Sequence, residues 1–99
     1  MTLERVLSNV ADQKGYGRIL LEQCVRSFLT EVAVQVDKEN EVRIDGFGTF
    51  KLSMIKSHPL AMNPSIIVPA KRVIIFSPEP QLKEFVNQET HTYSLRKKR

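Results

Sequence analysis

One apolar stripe, on a predicted helix from Arg18 to about Val36, constrains the fold more than any other feature of the sequence. Its members repeat at helical spacing and are widened by further apolar neighbours. They are Leu21, Val25, Phe28, Val32 and Val36, with Leu20, Cys24 and Leu29 at the sides. The helix would be about 30 Å long, and one short neighbouring helix cannot cover so broad an apolar face. The stripe therefore predicts a homodimer with Val25, Phe28 and Val32 in its core.

The segments on either side of this helix predict an α+β fold. Apolar residues repeat at helical spacing over residues 3–10, until Gly15 and Gly17 interrupt the pattern. After the long helix, Asp37–Asn40 predicts a polar turn. The period then becomes alternating over Val42–Asp45, as in a strand with one buried face.

Strands and one last helix are predicted for the second half of the chain. A tight turn at Gly46–Phe50 leads into a strand at Lys51–Ile55, and apolar runs follow at Ile66–Val68 and Val73–Phe76. The segment Ser77–Pro80 can cap a short final helix. The predicted order is helix, helix, three strands, helix. The core side chains predicted for this half are Phe47, Phe50 and Phe76.

Positive charge is concentrated in the second half. Residues 1–42 carry five Lys/Arg against seven Asp/Glu, whereas residues 43–99 carry ten against four. No acidic residue lies between Lys51 and Pro78, and the chain ends on the basic run Arg96–Arg99. A polyanion is therefore the expected partner. Removing the last four residues would leave a formally neutral body, so affinity for nucleic acid must depend on local patches.

The basic residues of the second half allow more than one interpretation. Lys51, Lys56, Lys71 and Arg72 lie on or next to a predicted hairpin, where they could neutralise phosphates. Lysine also protects exposed strand edges from aggregation, but the absence of acidic residues favours phosphate contact. The terminal basic run could contact DNA, act as a nuclear-import signal or keep the protein soluble.

Several classes of protein are excluded by what the sequence lacks. It has no paired-carboxylate, Ser/His/Asp or Cys/His arrangement, which predicts a protein that is not an enzyme and has no small-molecule substrate. His58 and His91 have no neighbours at ligand spacing, so neither a metal nor a cofactor is expected. The single Cys24 cannot form an intrachain disulfide. No apolar run is long enough to cross a membrane, and the amino end does not resemble a signal peptide, so an intracellular protein is expected.

Three segments together resemble the HU and integration-host-factor family of bacterial histone-like proteins. They are Val42–Phe50, the pair Asn63 and Pro64, and Pro69–Val73 leading to Phe76 and Pro78. The resemblance covers roughly residues 1–87. It implies an intertwined homodimer, or a heterodimer with a related subunit, with a three-stranded antiparallel sheet and a β-ribbon arm that reaches round double-stranded DNA. The expected domain spans residues 1–90, with a flexible basic tail at 91–99.

The resemblance implies a cytoplasmic, nucleoid-associated protein that coats, compacts or bends DNA with little sequence preference. A proline of the family's arm inserts between base pairs from the minor groove, and it matches Pro64 here. Met62 is a second apolar candidate for insertion. The DNA-binding residues expected on these grounds are Arg43, Lys51, Lys56, His58, Met62, Asn63, Pro64, Lys71, Arg72 and Lys83.

Three departures from the family pattern predict weaker binding and less bending. The arm is shortened after Pro64, and the stretch Ile55–Met62 before it has no arginine. The turn Ser77–Pro80 has an acidic residue where the family has a Lys-Pro-Gly-Lys-like sequence. The alternative function is a protein–protein interaction module that keeps the fold and has lost DNA binding.

Overall fold

The computed structural model describes residues 1–87 and 93–95, and the description that follows concerns these residues. The chain divides into two compact units, Met1–Val34 and a second that begins at Gln35. We call them the helical unit and the sheet unit. The described part contains three helices and five strands, and none of these helices has the length and apolarity needed to span a bilayer.

Helix α1 spans Leu3–Lys14, and both of its ends are capped. At its start the Thr2 hydroxyl accepts the N–H of Arg5 at 3.4 Å. At its end Gly15 adopts a left-handed conformation with φ 72° and donates its N–H to the Ala11 carbonyl at 2.8 Å. The glycine stop predicted from the sequence therefore lies at Gly15.

Helix α2 spans Arg18–Glu39 and is three residues longer than its predicted end at about Val36. The predicted polar turn is wrong for Asp37, Lys38 and Glu39, which are helical. Asn40 alone reverses the chain, with φ 69°, and its N–H donates to the Val36 carbonyl at 3.0 Å. Polar residues on a solvent-facing last turn look like a loop in sequence, which explains the difference.

Five strands follow; the order predicted from the residues had three, whereas the three-stranded sheet and β-ribbon arm implied by the resemblance account for all five. They are β1 Glu41–Ile44, β2 Gly48–Ile55, β3 His58–Leu60, β4 Asn63–Val68 and β5 Lys71–Pro78. The strand residues outside the predicted strand and apolar runs include Pro59, Asn63 and Pro64, which lie in β3 and β4. Helix α3, Pro80–Val86, follows with proline at its first position.

The strands form one antiparallel sheet and one separate ribbon. The sheet has the order β1-β2-β5, and β3 pairs with β4 in a two-stranded antiparallel ribbon inserted between β2 and β5. We call the ribbon the arm. This confirms the predicted α+β class, with a three-stranded antiparallel sheet and a β-ribbon arm.

The three predicted aromatic core residues meet on one face of the sheet. Ring centroids of Phe76 lie 5.5 Å from Phe47 and 4.9 Å from Phe50, in tilted arrangements. Gly48 allows this approach, because a Cβ there would lie 2.8 Å from the Ser77 carbonyl oxygen and would overlap the Phe76 ring. Phe76 is nevertheless 38% exposed in the single chain.

Little of the apolar stripe of α2 is buried within one chain. In the described part, only Leu7 and Val36 are hydrophobic side chains that are almost fully buried, at 3% and 2% exposure. Val25 and Val32 are half-buried, and Phe28 is exposed. A single folded chain therefore exposes much of this apolar stripe to water, and association with a second chain would bury it.

Candidate nucleic-acid interface

The arm is the most exposed part of the sheet unit. Every residue from 54 to 67 is exposed, and the arm continues from the end of β2 that is remote from the Gly46 turn. The arm contains no acidic residue. Lys56 lies just before it in the chain, and His58 is the first residue of β3. His58 Nδ1 donates to the Lys56 carbonyl oxygen at 3.1 Å, which orients the imidazole. The arm is thus a solvated projection with a positive charge at its base.

The tip of the arm is a turn formed by Ala61 and Met62. Asn63 already belongs to β4, where it pairs with Leu60. The turn therefore precedes Asn63 and Pro64 and does not contain them. Met62 is 95% exposed at this turn, which makes it the outermost large apolar side chain of the arm by exposure.

Pro64 lies just beyond the tip, in an irregular part of the ribbon. Pro59 pairs with Ile67 whereas Leu60 pairs with Asn63, so residues 64–66 bulge out of the ladder. The Asn63 Oδ1 accepts from the Ser65 N–H at 3.3 Å and from the Ser65 hydroxyl at 2.7 Å. These bonds hold the bulge that carries Pro64 and engage the side-chain oxygen of Asn63 within the arm itself.

The register of the sheet places Lys51 and Lys71 on one face. Lys71 pairs with Ile55, and Ile55 is four residues beyond Lys51 on β2, so alternation brings the two lysines to the same side. Arg43 joins them, because it pairs with Thr49 on the neighbouring strand. We call this the polar face. Its polar and charged members are Glu41, Arg43, Thr49, Lys51, Ser53, Lys71 and Ser77.

Arg72 does not join this group. It pairs with Met54 and therefore lies on the opposite face of the sheet, the face that holds Phe50 and Phe76. Its guanidinium donates to Asp37 at 2.7 Å. Of the basic residues predicted on or next to the hairpin, Lys51 and Lys71 therefore share a face of the sheet and Arg72 does not. Residue 72 follows residue 71 directly, and consecutive strand residues point to opposite faces.

Arg43 is on the polar face but is already paired with acidic residues. Its guanidinium contacts Asp45 at 2.9 Å and Glu79 at 3.7 Å. The hydrogen bond to Asp45, with the charges of Asp45 and Glu79, raises the pKa of Arg43 above its usual value. Two carboxylates beside one guanidinium leave this end of the sheet without excess positive charge. Lys83, the last cation on the predicted site, is exposed on α3.

One set of contacts, made by residues 93–95, was not predicted from the sequence. The Tyr93 ring packs against Phe85 in a tilted arrangement, with ring centroids 5.5 Å apart, and its hydroxyl donates to the Gly46 carbonyl oxygen. The Gln81 amide nitrogen donates to the Ser94 carbonyl oxygen at 2.8 Å. These residues fall within the tail predicted at 91–99, whose other members, including His91 and Arg96–Arg99, lie outside the described residues. The sequence signal that could have indicated these contacts is the presence of Tyr93 and Leu95 in an otherwise polar end of the chain.

Within the described ranges, no group of three His, Cys, Asp or Glu side chains could hold a metal ion. Cys24 is exposed in the single chain, whereas its place in the apolar stripe predicted burial. Burial would require a second chain over the stripe, and the single chain does not supply it.

Known proteins are similar to this chain over most of its length. The family model described as "Bacterial DNA-binding protein" matches residues 1–87. The chain is 33% identical over 94 residues to integration host factor subunit alpha of Mannheimia succiniciproducens, covering 89% of this chain and 95% of the relative. It is 28% identical over 92 residues to the corresponding subunit of Mannheimia haemolytica, covering 89% and 92%.

Two solved structures are similar in fold. One is a cocrystal structure of Anabaena HU with DNA, with a TM-score of 0.76, 21% identity and coverage of 89% of this chain and 99% of that chain. The other is a mutant of HU from Thermotoga maritima, with a TM-score of 0.66, 21% identity and coverage of 87% and 99%. At this identity the likeness concerns the fold.

Proposed function

The chain belongs to the bacterial DNA-binding protein family, and on that premise we propose that it is a dimeric, histone-like architectural protein that binds double-stranded DNA through its arm and polar face. The observation that carries this proposal is the combination of an arm that is exposed up to Ile67 and has no acidic residue with Lys51 and Lys71 on one face of the adjoining sheet. Cations on a common face neutralise successive phosphates and release their counterions.

The dimer supplies the second arm. The stripe of α2, with Phe28 53% exposed, is the surface that a second chain would cover. Two copies related by a twofold axis would each contribute one arm and one polar face to the same duplex. A related subunit could take the place of the second copy, since the same apolar chemistry would serve.

Sequence preference is expected to be slight. The candidate contacts are lysines and an exposed tip. Such groups recognise the backbone and the shape of the duplex rather than the base edges of the major groove. This suits a protein that organises DNA in the bacterial nucleoid, within the cytoplasm. The family is one of DNA-binding rather than catalytic proteins, and it favours DNA binding over a role as an interaction module alone.

Bending is expected to be modest relative to the family. Insertion of an apolar side chain kinks the duplex, and the kink is stabilised when the flanking DNA contacts the body of the protein. Here Arg43 at the Gly46 end of the sheet is paired with Asp45 and Glu79. Because the flanking DNA is attracted less strongly to this end of the sheet, the bend angle of the bound duplex should be smaller.

The test is the salt dependence of binding to a labelled duplex, measured by fluorescence anisotropy between about 50 and 200 mM salt. In the double variant Lys51→Gln/Lys71→Gln, the slope of log K against log salt should fall by about 0.9 for each phosphate that is no longer neutralised. Arg72→Gln is the matched control, because Arg72 lies on the opposite face and pairs with Asp37. Absence of duplex binding by the unaltered protein, or an equal effect of the control, would contradict the proposal.

A further inference from the structure

The arm contains one side chain whose charge can change near neutral pH. His58 is the first residue of β3, where it is exposed and pairs with Val68, the last residue of β4. Histidine changes charge between about pH 5 and 8, a range in which lysine and arginine keep theirs. His58 can therefore give the arm a positive charge that depends on pH.

The hydrogen bond of the His58 ring determines which nitrogen is left for a ligand. A carbonyl oxygen can only accept, so Nδ1, at 3.1 Å from the Lys56 carbonyl oxygen, is the donor and carries the proton of the neutral ring. Nε2 of the neutral ring is then an acceptor, and it becomes an N–H donor only when the ring is charged. Phosphate oxygens are acceptors as well. The neutral ring therefore has no proton on Nε2 to donate to a phosphate, whereas the imidazolium can donate a charge-assisted hydrogen bond from Nε2.

The strands of the arm place no negative charge beside His58. The rest of β3 has no titratable side chain, and neither has β4, the strand that pairs with it. The nearest charged residues along the chain are cations, with Lys56 on one side and Lys71 and Arg72 on the other. A negative charge that stabilises the imidazolium must therefore come from outside the arm, and a DNA phosphate supplies one.

We propose that His58 makes DNA binding by the arm dependent on pH, through an imidazolium whose Nε2–H donates to a backbone phosphate. This inference rests on the proposed function, since the ligand is the same duplex. The phosphate favours the charged ring, so the complex holds more protons than the free protein. DNA affinity should consequently rise as the pH falls. A homodimer carries two arms and therefore two such groups.

The experiment measures binding of the full dimeric protein to one labelled duplex by fluorescence anisotropy over a salt series. It is performed at pH about 5.5 and about 7.5, because histidine changes charge in this interval. The slope of log K against log salt should be steeper at the lower pH by up to about 0.9 per chain, since each imidazolium on a phosphate releases counterions. At fixed salt the affinity should be higher by up to about fivefold per chain, as expected for an exposed ion pair.

Three variants assign the effect to one histidine. His58→Gln keeps a polar side chain without a charge, and its salt slope should be the same at both pH values. His58→Lys is charged at both and should show the steeper slope at both. His91→Gln is the matched control, because it removes the other histidine of the chain and should keep the pH dependence. A pH dependence that persists undiminished in His58→Gln would overturn the inference.

The protonated nitrogen can be checked without DNA. Nitrogen chemical shifts of the His58 ring in the free protein, measured by NMR above about pH 7.5, should show the proton on Nδ1, as the bond to Lys56 requires. A neutral ring protonated on Nε2 would overturn the inference, since that ring could donate to a phosphate without taking up a proton.

These outcomes also separate this inference from the proposed function. If the unaltered protein does not bind duplex DNA at either pH, the proposed function fails. If it binds with the same affinity and salt slope at both pH values, the role of His58 is wrong and DNA binding by the arm and the polar face stands.

Discussion

In the helical unit α2 exposes large apolar side chains, with Ile19, Leu20 and Phe28 between 53% and 77% exposed, whereas the sheet unit, which also exposes apolar side chains, adds exposed lysines in a stretch without acidic residues. Arg26 of the helical unit and Lys51 of the sheet unit also differ in their ion pairs, although Arg43 and Arg72 of the sheet unit are paired. Arg26 of α2 contacts Glu4 at 3.0 Å and Glu22 at 3.9 Å. Lys51, by contrast, enters no ion pair among the described residues.

The difference indicates a division of labour between the two units. When a second protein surface covers the exposed apolar area of one chain, that area is removed from water, and this favours association. Lysines without carboxylate partners keep their counterions and can release them to a polyanion. On the proposed function, helix α2 is expected to be the surface for the second subunit, and the arm with the polar face is expected to be the surface for DNA.

The largest expected effect is on the dimer. Phe28→Asp would place a charge in the centre of the apolar stripe, where a buried unpaired charge is strongly unfavourable. Dimerisation should weaken by about 30- to 900-fold, and DNA affinity should fall with it, since hot-spot aromatic residues at interfaces are worth roughly 2–4 kcal/mol. Analytical ultracentrifugation measures the dimer constant. Phe28→Leu, which keeps an apolar side chain, should remain dimeric, and a fully dimeric Phe28→Asp would refute the division.

The next effect concerns packing in the sheet unit alone. Gly48→Ala would place a methyl group against the Phe76 ring and 2.8 Å from the Ser77 carbonyl oxygen, so the backbone must shift. We expect a loss of about 1–3 kcal/mol in the free energy of unfolding, as for other overpacked sites. Gly17→Ala is the matched change in the helical unit, where a Cβ would meet no atom within 4 Å. Thermal melts showing equal losses for the two variants would argue against this contrast.

A smaller effect is expected at the tip of the arm. Met62 is 95% exposed at the turn, while Pro64 lies in a bulge held by the bonds between Asn63 and Ser65. Met62→Ala should reduce DNA bending more than Pro64→Ala, with only a few-fold change in affinity, because insertion gains little net energy after the cost of unstacking. Energy transfer between dyes on the two ends of a duplex reports the bend.

Met54→Ala is the control for this comparison, since Met54 is also exposed but lies at the base of the arm, in β2, rather than at the tip. It should leave the bend unchanged. If instead Pro64→Ala abolishes the bend and Met62→Ala leaves it intact, the inserting residue is Pro64, as the family pattern indicates.

Most of the architecture was predictable from the sequence. The change from helical to alternating period near Val42 located the boundary between helices and strands, and Gly15 marked the end of α1. The candidate site was predictable only in part. Composition identified the basic, acid-free stretch and its lysines, but it grouped Arg72 with them although Arg72 is on the other face and pairs with Asp37.

What the sequence by itself determined is therefore local: where helices and strands begin, which faces are apolar, and where positive charge is concentrated. These properties depend on residue spacing and on the conformations that single residues allow. The tertiary structure decided which cations share a face, which residue lies at the tip of the arm, and that Tyr93 contacts Gly46 across 47 positions of the chain. Those outcomes depend on strand register and on contacts between distant segments, and a shift of one residue in register would exchange the two faces of the sheet.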